Sequence, residues 1–416
     1  MKWRTGGFLM LKDISYKDYR RSDDIHGTVL YPAVMVAPVQ KAVLQDLKKN
    51  STDYSIRTIF DPFHGSGTAL YESHLVFPEA ELYGCDINPL ANLITKVKLT
   101  GVSDNIDRDI STVEMHILQD QTSNIFEFTN RKKWFRDDIA VSLTKVRNSI
   151  IATEDASNRA FFWCMMSDVV RRYSNTRSST YKLHIKPQER IDAMSDHVIV
   201  DFIRAIKENR EKYTQVHFNN FTLYKQDVLS HLKSMDSGSI DLIITSPPYG
   251  DNNTTVPYGL FSSLALKWIA PEDLSLEGWE LNSYSIIDNK SLGNGHVKPA
   301  LTREQETLLG SYLDGISENK LKKVFRFFND YFSCLDDLSR ISNRYIVLTL
   351  GNRTVDRIRI DLAKITSQYL TKKGYFECQV VSRDILNKRT PPITSIVKDE
   401  PVESMKKEYI LIYKKA

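Results

Sequence analysis

Ser239-Ile-Asp-Leu-Ile-Ile-Thr-Ser-Pro-Pro-Tyr-Gly250 is the stretch from which the fold of this chain is read. Ile240, Leu242, Ile243 and Ile244 form a short β-branched-rich run with turn residues on either side, the pattern of a buried parallel strand. Pro247 and Pro248 stop it. Each proline removes an N–H and fixes φ, so the carbonyls of Ser246 and Pro247 are left without ladder partners at the carboxyl end of the strand, where open α/β sheets place ligands. Tyr249 sets a flat π face beside those acceptors. Acceptors next to an aromatic plate suit a planar group bearing an exocyclic NH2, such as a nucleobase taken out of a duplex. Ser246, Pro247, Pro248 and Tyr249 are therefore the candidate catalytic turn.

A second stretch, Ser55-Ile-Arg-Thr-Ile-Phe-Asp-Pro-Phe-His-Gly-Ser-Gly-Thr-Ala-Leu70, reads as a strand, a glycine turn and the start of a helix. Glu81-Leu-Tyr-Gly-Cys-Asp-Ile-Asn-Pro89 follows as a second strand with an acid at its end. That is the layout of a nucleoside-binding βαβ unit. Gly65 and Gly67 let the backbone approach a ligand, Asp86 suits ribose hydroxyls, and Asp61 is placed to meet a cationic group. Phe63, between strand end and glycines, is a candidate to flank the ligand. No Gly-Lys-Ser/Thr follows the glycines, which argues against a phosphate-cradling loop.

With both stretches in hand, the chain resembles the DNA amino-methyltransferases. Asp61-Pro-Phe-His-Gly-Ser-Gly-Thr68 is similar to their S-adenosylmethionine motif, and Thr245-Ser-Pro-Pro-Tyr249 to their catalytic motif. The resemblance implies a doubly wound, mostly parallel Rossmann-like α/β sheet and S-adenosylmethionine as cofactor. It adds Tyr31, Pro32, Thr68, Ile87, Asp227 and Val228 to the cofactor residues, with Tyr31 and Pro32 at the methionine end, and Asp227 and Val228 at the adenine. Family members often carry a basic residue where this chain has Val34. The Ser-Pro-Pro-Tyr version is usual in the cytosine-N4 branch, which implies methylation of that amine in a flipped base of double-stranded DNA, with a cognate restriction endonuclease as a possible partner. An adenine-N6 enzyme, an RNA methyltransferase and a non-catalytic DNA-binding subunit are the competing readings. The cysteine-based route to methylcytosine normally uses a Pro-Cys dipeptide, and none occurs.

A chain of 416 residues, 41% of them hydrophobic, can bury a large core. Net charge is only +4, with 56 basic and 52 acidic residues, so a DNA-binding face must come from local clustering. Four cysteines without CxxC spacing point to neither zinc nor disulfides. No apolar run reaches transmembrane length and the opening residues lack the apolar core of a signal peptide, so a cytoplasmic protein without a metal is expected. Oligomeric state is not readable.

In order, residues 1–103 read as an N-terminal extension and the cofactor half, and 104–218 as a helical insertion. Residues 219–270 carry the catalytic part, 271–320 a loop-rich target-facing segment, and 321–416 the end of the sheet. Within the insertion, Arg171, Arg172, Arg177 and Lys182 are interleaved with hydroxyls and tyrosines and without acids, the composition of phosphate contacts. Asn252 and Asn253 after the catalytic turn, and Lys388 and Arg389 in a late basic turn, are further DNA candidates. A helix is expected from Arg353 to Leu370, and the last two strands are expected to form an antiparallel hairpin.

Overall fold

The computed structural model describes residues 14–50, 56–250, 256–274, 285–293, 300–385, 393–397, 400–403, 405 and 407–416. Asn252, Asn253, Lys388 and Arg389 lie outside them.

Seven strands form one sheet: β1 (Thr58–Asp61), β2 (Glu81–Cys85), β3 (Phe221–Tyr224), β4 (Ile240–Thr245), β5 (Ser342–Gly351), β6 (Tyr375–Asp384) and β7 (Lys407–Lys415). Their order is β3-β2-β1-β4-β5-β7-β6. The first five run parallel, and β7 is inserted antiparallel to both its neighbours. Strand order reverses between β1 and β4, which pair Ile59 with Leu242 and Phe60 with Ile243. Open α/β sheets bind ligands at such a switch point, outside the carboxyl ends of the strands.

Alternation along the central strands shows why both faces are covered. Ile59, Leu242, Ile244 and Val347 enter one apolar layer, and Phe60, Ile243, Ile346 and Leu348 the other. On the first layer lie α1 (Ala37–Asn50), α2 (Thr68–Val76) and α3 (Pro89–Thr100), whose start is capped by Asn88 with proline in the first turn. The second layer is filled chiefly by the helix Glu318–Ile341, whose Val324, Phe327, Phe328, Tyr331, Leu335 and Leu338 recur at helical spacing.

Between α3 and β3 the chain forms four long helices, Ile106–Gln119, Asp137–Ile151, Ala156–Tyr173 and Val198–Asn209. They share one apolar cluster with the sheet, and Ala156–Tyr173 packs on α3 and on the helix Tyr258–Trp268. They are thus built onto the sheet's first layer. Two expectations change. Arg353–Val355 and Ile358–Ile360 form a β-hairpin and the helix begins only at Leu362. Asp356 and Arg357 take left-handed backbone, φ 48° and 67°, the geometry of a tight hairpin turn. The segment expected to be loop-rich holds short helices at Ser285–Asn289 and Arg303–Leu309, the latter started by a capping box of Thr302 and Gln305. Among the described residues no helix is long and apolar enough to cross a membrane.

Candidate active site

The glycine turn between β1 and α2 is shaped by its own backbone and fastened from the next strand. Gly65 and Gly67 have φ of 51° and 75°, which L side chains rarely adopt, and the Gly67 N–H donates to the His64 carbonyl at 2.7 Å. Asp86, just past β2, accepts from the Gly65 N–H at 2.9 Å and, with its other oxygen, from the Asn88 N–H at 2.8 Å. Its carboxylate, expected at ribose hydroxyls, thus also ties the turn to β2. Burial holds its pKa above the usual carboxylate range.

A buried lysine supports the same turn from beneath. Lys98 in α3 is 2% exposed and donates to the Ser66 carbonyl, between the two glycines. Its ammonium lies 3.3 Å from His26 Nδ1, and His26 Nε2 lies 3.0 Å from Glu72. Desolvation pushes Lys98 down to about 7, with Arg21 adding to the fall, and pushes Glu72 up to about 7. Sequence reasoning missed Lys98, although the helical period puts it on the face of Leu90 and Ile94. Lys98→Met keeps the bulk and removes the donor to a buried carbonyl, a cost of about 1–3 kcal/mol that relief of the desolvated ammonium offsets. Donor affinity measured by isothermal titration is expected to fall roughly tenfold. Melting temperature is expected to hold or rise, because a desolvated ammonium is removed; a purely structural lysine would give the opposite split.

A hydrogen bond joins the base of the Ser-Pro-Pro-Tyr turn to the end of the strand before the glycine turn. Thr245, the last residue of β4, donates to Asp61 Oδ1 at 2.6 Å, and the Phe63 N–H donates to the same oxygen at 3.1 Å. Asp61 was expected to face a cationic group. It is fully buried instead, facing Thr245, and its Oδ2 has no hydrogen-bond partner among the described residues. Thr245 ends the strand that pairs with β1, which brings its hydroxyl within reach of the Asp61 carboxylate. Desolvation raises its pKa to about 7, against the hydrogen bonds from Thr245 and Phe63 that lower it.

That shift has a testable sign. A carboxyl raised above its unfolded value keeps its proton in the folded state where the unfolded chain has lost it, so stability falls as pH rises from about 4 through about 7. Glu72 acts in the same direction. The melting temperature of the wild type is expected to drop by a few degrees between about pH 5 and about pH 7. Asp61→Asn keeps an acceptor for Thr245 and Phe63 and should show a smaller drop; equal slopes would remove Asp61 as the titrating group.

Both turns open into one cavity of about 1080 Å³. Tyr31, Pro32, Phe63, Gly65, Thr68, Asp86, Ile87 and Val228 line it together with Ser246, Pro247, Pro248 and Tyr249. Gly67 and Asp227 are not among its lining residues; Gly67 packs on Thr95, and Asp227 caps the helix Val228–Ser234 by accepting from the Ser230 N–H at 2.9 Å. Ser246 Oγ is 3.1 Å from the Tyr249 hydroxyl, and burial holds that phenol well above its usual pKa. Tyr31 stacks on Tyr258 with centroids 5.8 Å apart, and its hydroxyl accepts from Asn88 Nδ2 at 3.1 Å. Val34 lines the cavity, as does Asn352 just past β5.

The cavity fits S-adenosylmethionine, the cofactor that the sequence motifs imply. Phe63, Ile87 and Val228 offer apolar walls for a flat ring, and Asp86 offers an acceptor. A Cβ at Gly65 would stand 3.5 Å from the Tyr31 ring, so any side chain there would narrow the cradle between turn and tyrosine.

The expected DNA residues of the insertion are dispersed by the fold. Arg171 is buried, its guanidinium 4.9 Å over the Phe261 ring and donating to the Thr180 carbonyl at 2.6 Å, so it is packed as a core residue rather than presented to a phosphate. Arg172 is exposed and pairs with Asp201 at 2.7 Å. Arg177 and Lys182 are exposed, and Tyr181 between them reaches the cavity wall.

No family model matches the chain. It is 28% identical over 395 residues to the Type II methyltransferase M.MvaI from Kocuria varians, covering 88% of this chain and 85% of that protein. A solved structure of the rRNA methyltransferase aviRa from Streptomyces viridochromogenes aligns over 95% of this chain and 93% of that one at 10% identity. The TM-score of that alignment is 0.30.

Proposed function

We propose that the chain transfers a methyl group from S-adenosylmethionine to the exocyclic N4 amine of a cytosine turned out of duplex DNA. The observation that carries this reading is the Thr245–Asp61 hydrogen bond at the paired ends of β1 and β4, which makes the glycine turn and the Ser-Pro-Pro-Tyr turn two walls of one cavity. The similarity to a Type II methyltransferase along most of both chains supports the same reaction class.

Bound in this cavity, the cofactor supplies a methyl group activated on a sulfonium; Phe63, Ile87, Val228 and Asp86 would hold its nucleoside, and Tyr31 and Pro32 its amino-acid end. The chain's own contribution is positioning and electrostatics. A cytosine amine is a poor nucleophile because its lone pair is delocalised into the ring. Acceptance of its two hydrogens by the Ser246 hydroxyl and the Pro247 carbonyl favours the tetrahedral nitrogen whose lone pair points away from them. Tyr249 holds the ring by stacking. In a restriction-modification pair, a nuclease reading the same sequence would be the partner, and both would work in the cytoplasm.

Nucleoside mass spectrometry of duplex DNA incubated with the chain and a deuterated-methyl donor tests this. Labelled N4-methylcytosine is expected. Labelled N6-methyladenine would keep the cavity and change the base, and label in neither would overturn the reading.

A further inference from the structure

We infer that the phosphodiester backbone beside the extruded base is gripped by a basic rim at the mouth of this cavity, assembled from chain segments that are far apart in sequence. The inference rests on the proposed reading of the cavity as a nucleobase pocket. It relocates the main phosphate contacts away from residues 171–186.

Among the described residues the cavity wall holds eight basic residues against three acidic ones, whereas the sequence as a whole holds 56 against 52. Such an imbalance does not follow from composition. Lys17 and Arg20 come from the segment before α1, Lys290 from just past the helix Ser285–Asn289, Lys323 from the first turns of Glu318–Ile341, and Arg353 from the hairpin after β5. The first four are exposed and Arg353 is half-buried, so their charged ends stand at the opening rather than in the floor.

The three acids are already engaged. Asp86 accepts two backbone N–H groups, Asp356 is ion-paired with Lys320, and Glu408 lies 3.8 Å from Arg383. Lys320 and the Ser317 hydroxyl hold the Asp356 carboxyl at about 2, so it stays charged and paired. Lys17, Arg20 and Lys323 thus stand exposed around an apolar, aromatic-floored pocket. A base needs the apolar pocket, and the phosphates on either side of it need the cations. By contrast, the 171–186 stretch yields only Arg177 and Lys182 at the surface without an assigned partner role, since Arg171 is packed on Phe261 and Arg172 on Asp201.

The test is fluorescence anisotropy of a labelled duplex with the full chain over a range of salt. Arg20→Gln/Lys323→Gln is compared with Arg177→Gln/Lys182→Gln, and S-adenosylhomocysteine affinity is measured by titration calorimetry as the folding control. The rim pair is expected to lose about tenfold or more in duplex affinity. Its slope of log affinity against log salt should become shallower by about 1.8, roughly 0.9 for each phosphate contact removed. Affinity for S-adenosylhomocysteine should stay within twofold, and the comparison pair should lose less than about threefold. Unchanged affinity and slope in the rim pair, or an equal loss in the comparison pair, overturns the rim while wild-type methylation of DNA leaves the base-pocket reading standing. A wild-type chain that prefers structured RNA, or that neither binds nor methylates duplex DNA, overturns both.

Discussion

Gly67→Val is expected to abolish donor binding, with S-adenosylmethionine affinity falling at least about 100-fold by isothermal titration while the chain still folds. Gly67 sits at φ 75°, immediately before α2, where an L residue costs about 1–2 kcal/mol before any contact is counted. A Cβ there would lie 2.7 Å from Thr95 Cγ2 and 2.8 Å from Thr95 Oγ1. Thr95 cannot simply rotate aside, because its hydroxyl donates to the Gly65 carbonyl at 3.0 Å and lies 3.1 Å from His64 Nδ1. The turn itself must therefore move, and it is the turn that presents Gly65, Ser66 and Thr68 to the cavity. Gly238 is the control. It also has positive φ, 66°, but nothing lies within 4 Å of its Cβ position. Gly238→Ala should leave donor affinity within twofold; a comparable loss there would mean that backbone strain, not the turn's position, is being measured.

Tyr249→Ala should separate the two walls. Methyl transfer to duplex DNA is expected to fall about 100-fold, because stacking of a base on an aromatic plate contributes about 1–3 kcal/mol and the Ser246 hydroxyl loses its neighbour at 3.1 Å. Donor affinity should change by less than about threefold, since the phenol is on the catalytic turn and not on the glycine turn. Tyr249→Phe keeps the plate and loses only the hydroxyl, and should retain at least about a tenth of the wild-type rate. If Tyr249→Ala weakens donor binding as much as transfer, the tyrosine is a structural member of the cavity and the base plate lies elsewhere. Tritiated transfer alongside calorimetry reads both quantities on the same preparations.

The parts of this molecule legible in its sequence are those encoded by neighbours. β1, β2 and β4 are short apolar runs stopped by Asp61-Pro62, Asp86 and Pro247-Pro248, and the glycine turn and the Ser-Pro-Pro-Tyr turn are each written in a few consecutive residues. The antiparallel pairing of β6 and β7 was legible for the same reason, although the placing of β7 between β5 and β6 was not. What failed depends on distance. Asp61 meets Thr245 across 184 positions, a contact that no local pattern announces. Lys98 falls on the apolar face of α3 by its spacing, yet its partner, the Ser66 carbonyl, lies 32 positions away. The 353–360 hairpin turns on Asp356 and Arg357, left-handed without glycine, so it lacked the usual flag. Residues 171–186 looked basic as a run, yet folding packs Arg171 on Phe261, while cations from separate segments meet at the cavity mouth.

The claim on which the rest depends is that the two turns enclose a single donor-and-acceptor cavity. A crystal structure of the chain with S-adenosylhomocysteine measures this directly. The sulfur is expected between the Gly65 turn and the Ser246–Tyr249 turn, with the adenine against Phe63, Ile87 and Val228. Density for the ligand outside that cavity, or inside it with the sulfur pointing away from Ser246, would contradict the account.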